Sequence, residues 1–100
     1  MIMIVAEHDV KPDKLNEAFK IFDNVTETIT KAKGFISRQI LISKKDPNKI
    51  TTISTWTSQE ARDKWRKHHP SSSNSINIDA LFTRELIQTY EVLKTFSSSR

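Results

Sequence analysis

The sequence ITTISTWTSQEARDKW, residues 50–65, holds a strand, a corner and the start of a helix within one short stretch. Its first seven residues are rich in β-branched side chains and end in Trp56, which predicts a strand that packs on at least one face. The next four residues, 57–60, fit a capping box, in which a hydroxyl and a glutamate satisfy backbone N–H groups at a helix start. We therefore predict a strand that turns directly into a helix, with Trp65 on the inner side of that helix.

The chain before this corner begins with a second strand signal and a long helix signal. Residues 2–10 predict a strand, which Pro12 ends, and Asp13 is the expected helix N-cap. Apolar residues at three- and four-residue steps predict an amphipathic helix over residues 14–33. Gly34 is the only glycine in the chain, and we expect it to take a left-handed conformation where this helix stops.

The remaining segments predict a hairpin, a loop and a last strand. Residues 35–43 have extended character, and the turn-forming residues 44–49 join them to the next strand. The serine-rich residues 71–75 predict a mobile loop, and residues 76–82 predict a short helical turn. Residues 85–95 predict the last strand.

This order of elements is the split βαβ arrangement of a ferredoxin-like fold. The predicted fold class is α+β, ferredoxin-like βαββαβ, with a four-stranded antiparallel sheet and both helices on one face. Three of the strands carry large apolar residues on both faces, so we expect a homodimer in which two sheets close into a dimeric α+β barrel. Residues 1–96 are predicted to form this single domain, and residues 97–100 a flexible C-terminal tail.

The composition excludes several classes of protein. The chain has 100 residues, of which 36% are hydrophobic and 28% charged, which is typical of one small globular domain. It has no cysteine, which excludes a disulfide scaffold and a thiol nucleophile and is compatible with the cytoplasmic location that we expect. Its net charge of +4 comes from scattered basic residues and no run is long enough to span a bilayer, so we expect no nucleic-acid partner and no membrane.

Several short motifs resemble the antibiotic-biosynthesis monooxygenase family of dimeric α+β barrels. The most specific is W-x-S-x-E-A at residues 56–61, and the weaker ones are Lys11-Pro12, Gly34-Phe35 and Asp46-Pro47. The resemblance covers roughly residues 2–95. It implies the fold and dimerisation more strongly than any chemistry, because the family includes cofactor-free oxygenases, haem-degrading enzymes and members without known activity.

The resemblance favours a cofactor-independent monooxygenase that acts on a small aromatic, quinol-type substrate in a cavity between the sheet and the helices. A haem-binding or haem-degrading monooxygenase is the first alternative, because Trp65 falls at the catalytic tryptophan of that branch. The axial histidine of the branch falls at Ser75, and His68 and His69 come too early, so we expect no cofactor. A non-enzymatic dimer that binds a small hydrophobic or anionic ligand is the second alternative.

The expected catalytic residues are His8 and Trp65. Imidazole titrates near neutral pH, and His8 has the strand parity of Ile4 and Ala6, so it could face a cavity under the helices and act as a base. Trp65 could stack on a flat aromatic ligand, although a lone aromatic on the inner side of a helix is equally typical of a core. The expected substrate-binding residues are Phe22, Phe35, Trp56 and His69, of which Trp56 matches a substrate-site tryptophan of polyketide-oxidising family members.

Overall fold

The computed structural model describes residues 1–69 and 81–98. Its elements follow in the order β1 (Ile2–Val10), α1 (Leu15–Ile29), β2 (Phe35–Ile42), β3 (Lys49–Trp56), α2 (Gln59–His68) and β4 (Phe82–Glu91). These strands form an antiparallel sheet in the order β2-β3-β1-β4, which confirms the predicted ferredoxin-like α+β fold. The loop predicted for residues 71–75 and nearly all of the turn predicted for residues 76–82 lie outside the described residues.

The helices cover one face of the sheet, and the core on that face divides into two clusters. In β1 and β3 the residues of even number are buried, as period-two alternation requires. What we call the Phe22 cluster contains Val10, Ala18, Phe22, Ile50, Leu81 and Phe82. What we call the Trp56 cluster contains Ile2, Ile4, Ile29, Trp56 and Trp65.

The middle of the sheet carries small side chains on the same face. Ala6 of β1 pairs with Thr52 of β3, and Ile4 pairs with Ser54. Thr52 and Ser54 are buried although they are polar. Short side chains cannot fill the space that leucine or phenylalanine would occupy between a sheet and its helices. The sheet therefore leaves room between the two clusters.

The corner between β3 and α2 lies where the sequence predicts it, but its cap is one residue later. Ser58 is the N-cap, and its Oγ accepts a hydrogen bond from the backbone N–H of Ala61 at 3.1 Å. The predicted capping box needs Thr57 as the cap with Glu60 three residues on, so that prediction is wrong. The backbone N–H of Thr57 donates instead to the carbonyl oxygen of Gly34 at 2.8 Å, which ties the corner to the start of β2.

Helix α1 is shorter than predicted at its C-terminal end, and its cap differs. Lys14 is the N-cap and makes no side-chain capping bond, so the prediction that Asp13 caps the helix is wrong. The helix stops at Ile29, before the predicted residue 33. The hydroxyls of Thr26 and Thr28 donate back to carbonyl oxygens of the preceding turn, and such back-bonding residues are poor helix formers.

Strand β4 also differs from its predicted range, because β1 is its one partner among the described strands. Glu91 pairs with Ile2, the first residue of β1, and the N–H of Val92 then donates to the carbonyl oxygen of Met1 at 3.0 Å. In the described part of the chain no strand lies beside residues 93–95, and β4 ends at Glu91, so the predicted continuation to residue 95 is wrong. At its other end, β4 begins at Phe82, which pairs with Val10 across an irregularity in register.

The open face of the sheet carries large apolar side chains. Leu86 and Tyr90 of β4 pair with Glu7 and Met3 of β1, whose side chains point away from the helices. Leu86 is 37% exposed and Tyr90 is 48% exposed. Within the described ranges, no helix has the length and apolar character that crossing a membrane requires.

We expect Gly34→Ala to lower the free energy of unfolding by about 2 kcal/mol or more, since a left-handed backbone and overpacking each cost about 1–3 kcal/mol. Gly34 has a φ of +88°, and an added Cβ would lie 2.5 Å from Cβ of Ala61 and 2.8 Å from Oγ1 of Thr57. Urea denaturation followed by circular dichroism measures the change. The exposed neighbour Lys33→Ala is the control, and equal midpoints for the two variants would contradict the prediction.

Candidate functional site

A cavity of about 140 Å³ lies between the sheet and the helices and takes lining residues from both core clusters. Ala6, Thr52 and Ser54 line it, so the small side chains in the middle of the sheet are what leave it open. A cavity of about 150 Å³ is known to hold one benzene ring. The apolar lining consists of Ile4, Ala6, Ile21, Phe22, Val25, Ile29, Trp56, Trp65, Phe82 and Ile87.

His8 is the buried imidazole of this cavity. It is 5% exposed, and its ring lies 5.0 Å, between centroids, from each of Phe22 and Phe82. Its Nδ1 lies 3.0 Å from Oε2 of Glu85, the residue opposite it on β4. This is an ion-pair contact, and Nδ1 forms no aligned hydrogen bond within the described part of the chain. Strand register therefore holds an imidazole and a carboxylate together against aromatic rings.

The surroundings of Glu85 favour the charged form of its carboxylate. The close contact with the imidazole of His8 lowers the pKa of Glu85, and the charges of His8 and Arg66 lower it further, whereas burial acts in the opposite direction. A carboxylate beside an imidazole orients the ring and stabilises the imidazolium that forms when the ring accepts a proton. The pair can thus act as a base toward a ligand in the cavity.

Two tryptophans form one end of the cavity. Trp56 is 0% exposed, and its Nε1 donates to Oγ of Ser54 at 3.1 Å. Trp65 lies 5.9 Å from Trp56, between ring centroids, at an interplanar angle of 44°. The Nε1 of Trp65 is buried without a hydrogen-bond partner in the described part of the chain. A buried indole N–H normally has an acceptor, so this donor is available to a ligand.

Three arginines line the same cavity, namely Arg38 from β2 and Arg62 and Arg66 from α2. Burial lowers the pKa of Arg38, whose Nε donates to Oγ1 of Thr26 at 2.9 Å. Burial and then the charge of Arg66 lower the pKa of Arg62, whereas Asp63 raises it. Guanidinium groups stay protonated in proteins, so three positively charged residues line the cavity.

Four of the six predicted site residues line this cavity: His8, Phe22, Trp56 and Trp65. Phe35 lies behind the cavity, edge-on to Trp56 at 5.7 Å between ring centroids. His69 lines a second pocket of about 420 Å³ between the end of α1 and α2, where its ring stacks on Trp65 at 5.6 Å. The second pocket and the cavity share Trp65.

Four charged residues line the cavity without having been predicted: Arg38, Arg62, Arg66 and Glu85. For Arg62 a sequence signal exists, because it lies three residues before Trp65 and so neighbours it on the helix surface. Arg66 does not neighbour Trp65 in this way, but it lies four residues after Arg62 and so neighbours that arginine. Glu85 is placed by its pairing with His8, which only the register reveals. Arg38 lies on a strand with apolar residues on both faces, where alternation gives no direction.

The described residues contain no group of three or more histidine, cysteine, aspartate or glutamate side chains that could hold a metal ion. The ionisable and unpartnered polar groups of the cavity-lining residues are an imidazole and carboxylate pair, an indole N–H and three guanidinium groups. Such a set can bind a polar group on an aromatic ligand and accept a proton from it.

A sequence model of the antibiotic biosynthesis monooxygenase family matches residues 1–71 of the chain. A comparison with curated protein sequences gave no significant match.

Among solved structures, SnoaB, a cofactor-independent oxygenase from Streptomyces nogalater, is 16% identical with a TM-score of 0.82, and the match covers 97% of each chain. Rv0793 from Mycobacterium tuberculosis is 17% identical with a TM-score of 0.83, over 96% of this chain and 98% of that chain. A conserved protein from Methanosarcina mazei Go1 is 20% identical with a TM-score of 0.80, over 89% of each chain. At these identities the structural likeness establishes the fold alone.

We expect Glu85→Gln to lower the free energy of unfolding near neutral pH by less than about 1 kcal/mol, because the carboxylate is partly exposed to solvent. The pKa of Glu85 is lowered in the folded state, so its contribution is present above the ordinary glutamate pKa of about 4.3. The contribution is lost as pH falls through the lowered pKa. Urea denaturation between about pH 3 and pH 7 should show the two unfolding free energies converging in acid.

The exposed Glu27→Gln on α1 is the matched control for this comparison. It should follow the unchanged protein across the same pH range. A difference between Glu85→Gln and the unchanged protein that grows in acid would contradict the assigned direction of the shift.

Proposed function

Because the chain belongs to the antibiotic biosynthesis monooxygenase family, we propose that it is a cofactor-independent monooxygenase that acts on a small aromatic, quinol-type substrate. We place the reaction in the cavity between the sheet and the helices. The observation that carries the proposal is His8, a buried imidazole 3.0 Å from a carboxylate in an otherwise aromatic cavity. SnoaB, which has the same fold, is described as a cofactor-independent oxygenase, and this supports the same reading.

In this proposal His8 takes the proton of the substrate hydroxyl. The resulting electron-rich anion passes one electron to O2, and the two radicals join to form a carbon–oxygen bond. The peroxide then takes up a proton, and its O–O bond breaks as the ring carbon loses its hydrogen as a proton. The products are one carbonyl and one water, so that a phenol and one O2 give one quinone and one H2O. No external reductant is needed.

The aromatic residues are proposed to hold the substrate ring. Phe22 and Trp56 line the cavity, and Trp65 supplies both a ring face and its unpartnered Nε1–H to a substrate oxygen. We propose an indirect role for Phe35 and His69. Phe35 packs against Trp56, and His69 stacks on Trp65, so both position an indole without lining the cavity.

We propose further that the protein is a homodimer in which the open faces of two sheets pack together. Leu41, Leu86 and Tyr90 are exposed on strands β2 and β4, and apolar side chains grouped on one face are typical of an interface. Pairing two sheets would remove these side chains from water and leave both cavities on the outer, helical side. A cytoplasmic location stays a prediction, as does the division into a domain and a C-terminal tail.

The haem alternative fits this cavity poorly. A volume of about 140 Å³ matches one ring, whereas a haem carries four pyrrole rings around its iron. We therefore assign no step to haem. The remaining alternative, a ligand-binding dimer without catalysis, would use the same cavity without reaction.

We expect purified protein to consume O2 with small quinols, with one oxygen atom from 18O2 in the organic product and the other in water. His8→Ala should lower kcat by about 10²- to 10⁴-fold, the usual contribution of a general base. The exposed Lys67→Ala on α2 should retain the rate and controls for handling. An oxygen electrode with mass spectrometry of the product measures both quantities.

No uptake across a broad quinol panel would contradict the enzymatic proposal and favour the ligand-binding dimer. A hemin titration separates the haem alternative. A stoichiometric Soret shift would support that alternative, and its absence would remove it.

We expect light scattering at micromolar concentration to give twice the chain mass of 11.6 kDa. Leu86→Glu places a charge on the open face and should shift the protein toward the monomer, because an unpaired buried charge is costly. Leu93→Glu is the matched control, since Leu93 lies beyond β4 and is largely exposed. A monomeric unchanged protein, or equal effects of the two variants, would contradict the proposed interface.

A further inference from the structure

We infer that the substrate is an aromatic anion, a phenol or quinol ring that carries a carboxylate, and that Arg38, Arg62 and Arg66 bind this carboxylate. The inference rests on the proposed function and adds the substrate class to it. It starts from the balance of charges in the cavity and not from its aromatic lining.

The cavity has more positive charge than its own acidic groups can neutralise. Three guanidinium groups line it, and Glu85 is the carboxylate residue that lines it with them. Glu85 already lies against His8. In low-dielectric surroundings, uncompensated charges of one sign produce a stronger electrostatic potential. The positive potential of this cavity therefore attracts anions.

The arginines also keep donors that the described residues do not use. Arg38 donates through Nε to Thr26, which leaves the two terminal nitrogens that form the fork of a guanidinium. Arg62 contacts Asp63 through one nitrogen at 3.6 Å, and the same carboxylate oxygen accepts from Gln59 at 2.8 Å. Arg66 forms no ion pair within the described part of the chain. A planar carboxylate matches such forks in two-point contact.

The helical placement of Arg62 and Arg66 costs stability. They are four residues apart on α2, where like charges repel, and the charge of Arg66 lowers the pKa of Arg62. Both are also partly buried on the side of the helix that packs over the sheet. A bound carboxylate between them would convert this repulsion into attraction.

The spacing of the groups suits a single ring with an acidic substituent. Arg38 pairs with Ser54 and hence lies in the row of Ile4, whereas His8 lies four residues further along β1. At about 3.3 Å per residue, the two rows are roughly 13 Å apart along the sheet. The inference requires an arginine side chain to span part of that distance, so that a hydroxyaryl carboxylate contacts His8 with its hydroxyl and a guanidinium with its carboxylate.

The test compares 4-hydroxybenzoate with its neutral, nearly isosteric amide 4-hydroxybenzamide in calorimetric titrations of the protein. We expect the carboxylate to bind at least tenfold more tightly and its affinity to fall with added salt. Arg66→Gln and Arg38→Gln should each weaken carboxylate binding by about tenfold, as the loss of a charged hydrogen bond predicts, and leave amide binding little changed. Arg66→Lys should lose less, because it retains the charge. Lys67→Gln removes a neighbouring exposed charge and should change neither affinity.

Equal affinities for the acid and the amide, or carboxylate binding unaffected by both glutamine variants, would overturn the inference. These titrations involve no turnover, so they are independent of the oxygenase proposal. In a parallel oxygen-uptake assay, consumption with 2,5-dihydroxybenzamide but not with 2,5-dihydroxybenzoate would overturn the inference and preserve the proposed function. Selective carboxylate binding without any oxygen uptake would preserve the anion site and contradict the oxygenase.

Discussion

The packing of Trp56 is the contact on which the rest of the structure depends. This fully buried indole ends β3, contacts Phe35 at the start of β2 and Trp65 in α2, and donates a hydrogen bond to Ser54. It therefore joins two strands and a helix at the corner that the backbone bond from Thr57 to Gly34 closes. Truncating a buried tryptophan costs about 3–5 kcal/mol, a large part of the 5–15 kcal/mol that stabilises a domain of this size.

The cavity is a consequence of how the core is divided. The aromatic side chains are collected at the two ends of the sheet, in the Phe22 cluster and the Trp56 cluster, and the middle is left to Ala6, Thr52 and Ser54. Larger residues at these positions would bury more apolar area and bring the clusters into contact. The cavity that these small side chains leave open lies beside His8. The same small residues therefore separate the two core clusters and give a ligand access to the imidazole.

The sequence predicted the framework of the fold because alternation and helical spacing are local signals. These signals predicted the first strand, the six-residue hairpin connection and the Trp56 corner. The parity of His8 on β1 alone predicted that its side chain lies under the helices. The end of β4 could not be predicted from its own sequence, because it depends on where its partner β1 begins. Glu85 was missed for the same reason. Arg66 was interpretable as solvated surface, because it directly follows Trp65 and so points to a different side of the helix. Its position beside the cavity depends on how α2 packs over the sheet.

The strand order has a consequence for the time at which this fold can form. Of the described strands, β1 is synthesised first and lies inside the sheet, and one of its two neighbours, β4, is synthesised after the other three. Until β4 emerges from the ribosome, the inner strand has one edge of unpaired N–H and C=O groups, which is where chains pair with wrong partners. Pairing β1 with β4 also requires contacts between residues that are far apart in sequence, and such contacts slow folding. The nascent protein therefore completes this sheet only after β4 has been made, and until then β1 keeps one unpaired edge that can pair with another chain.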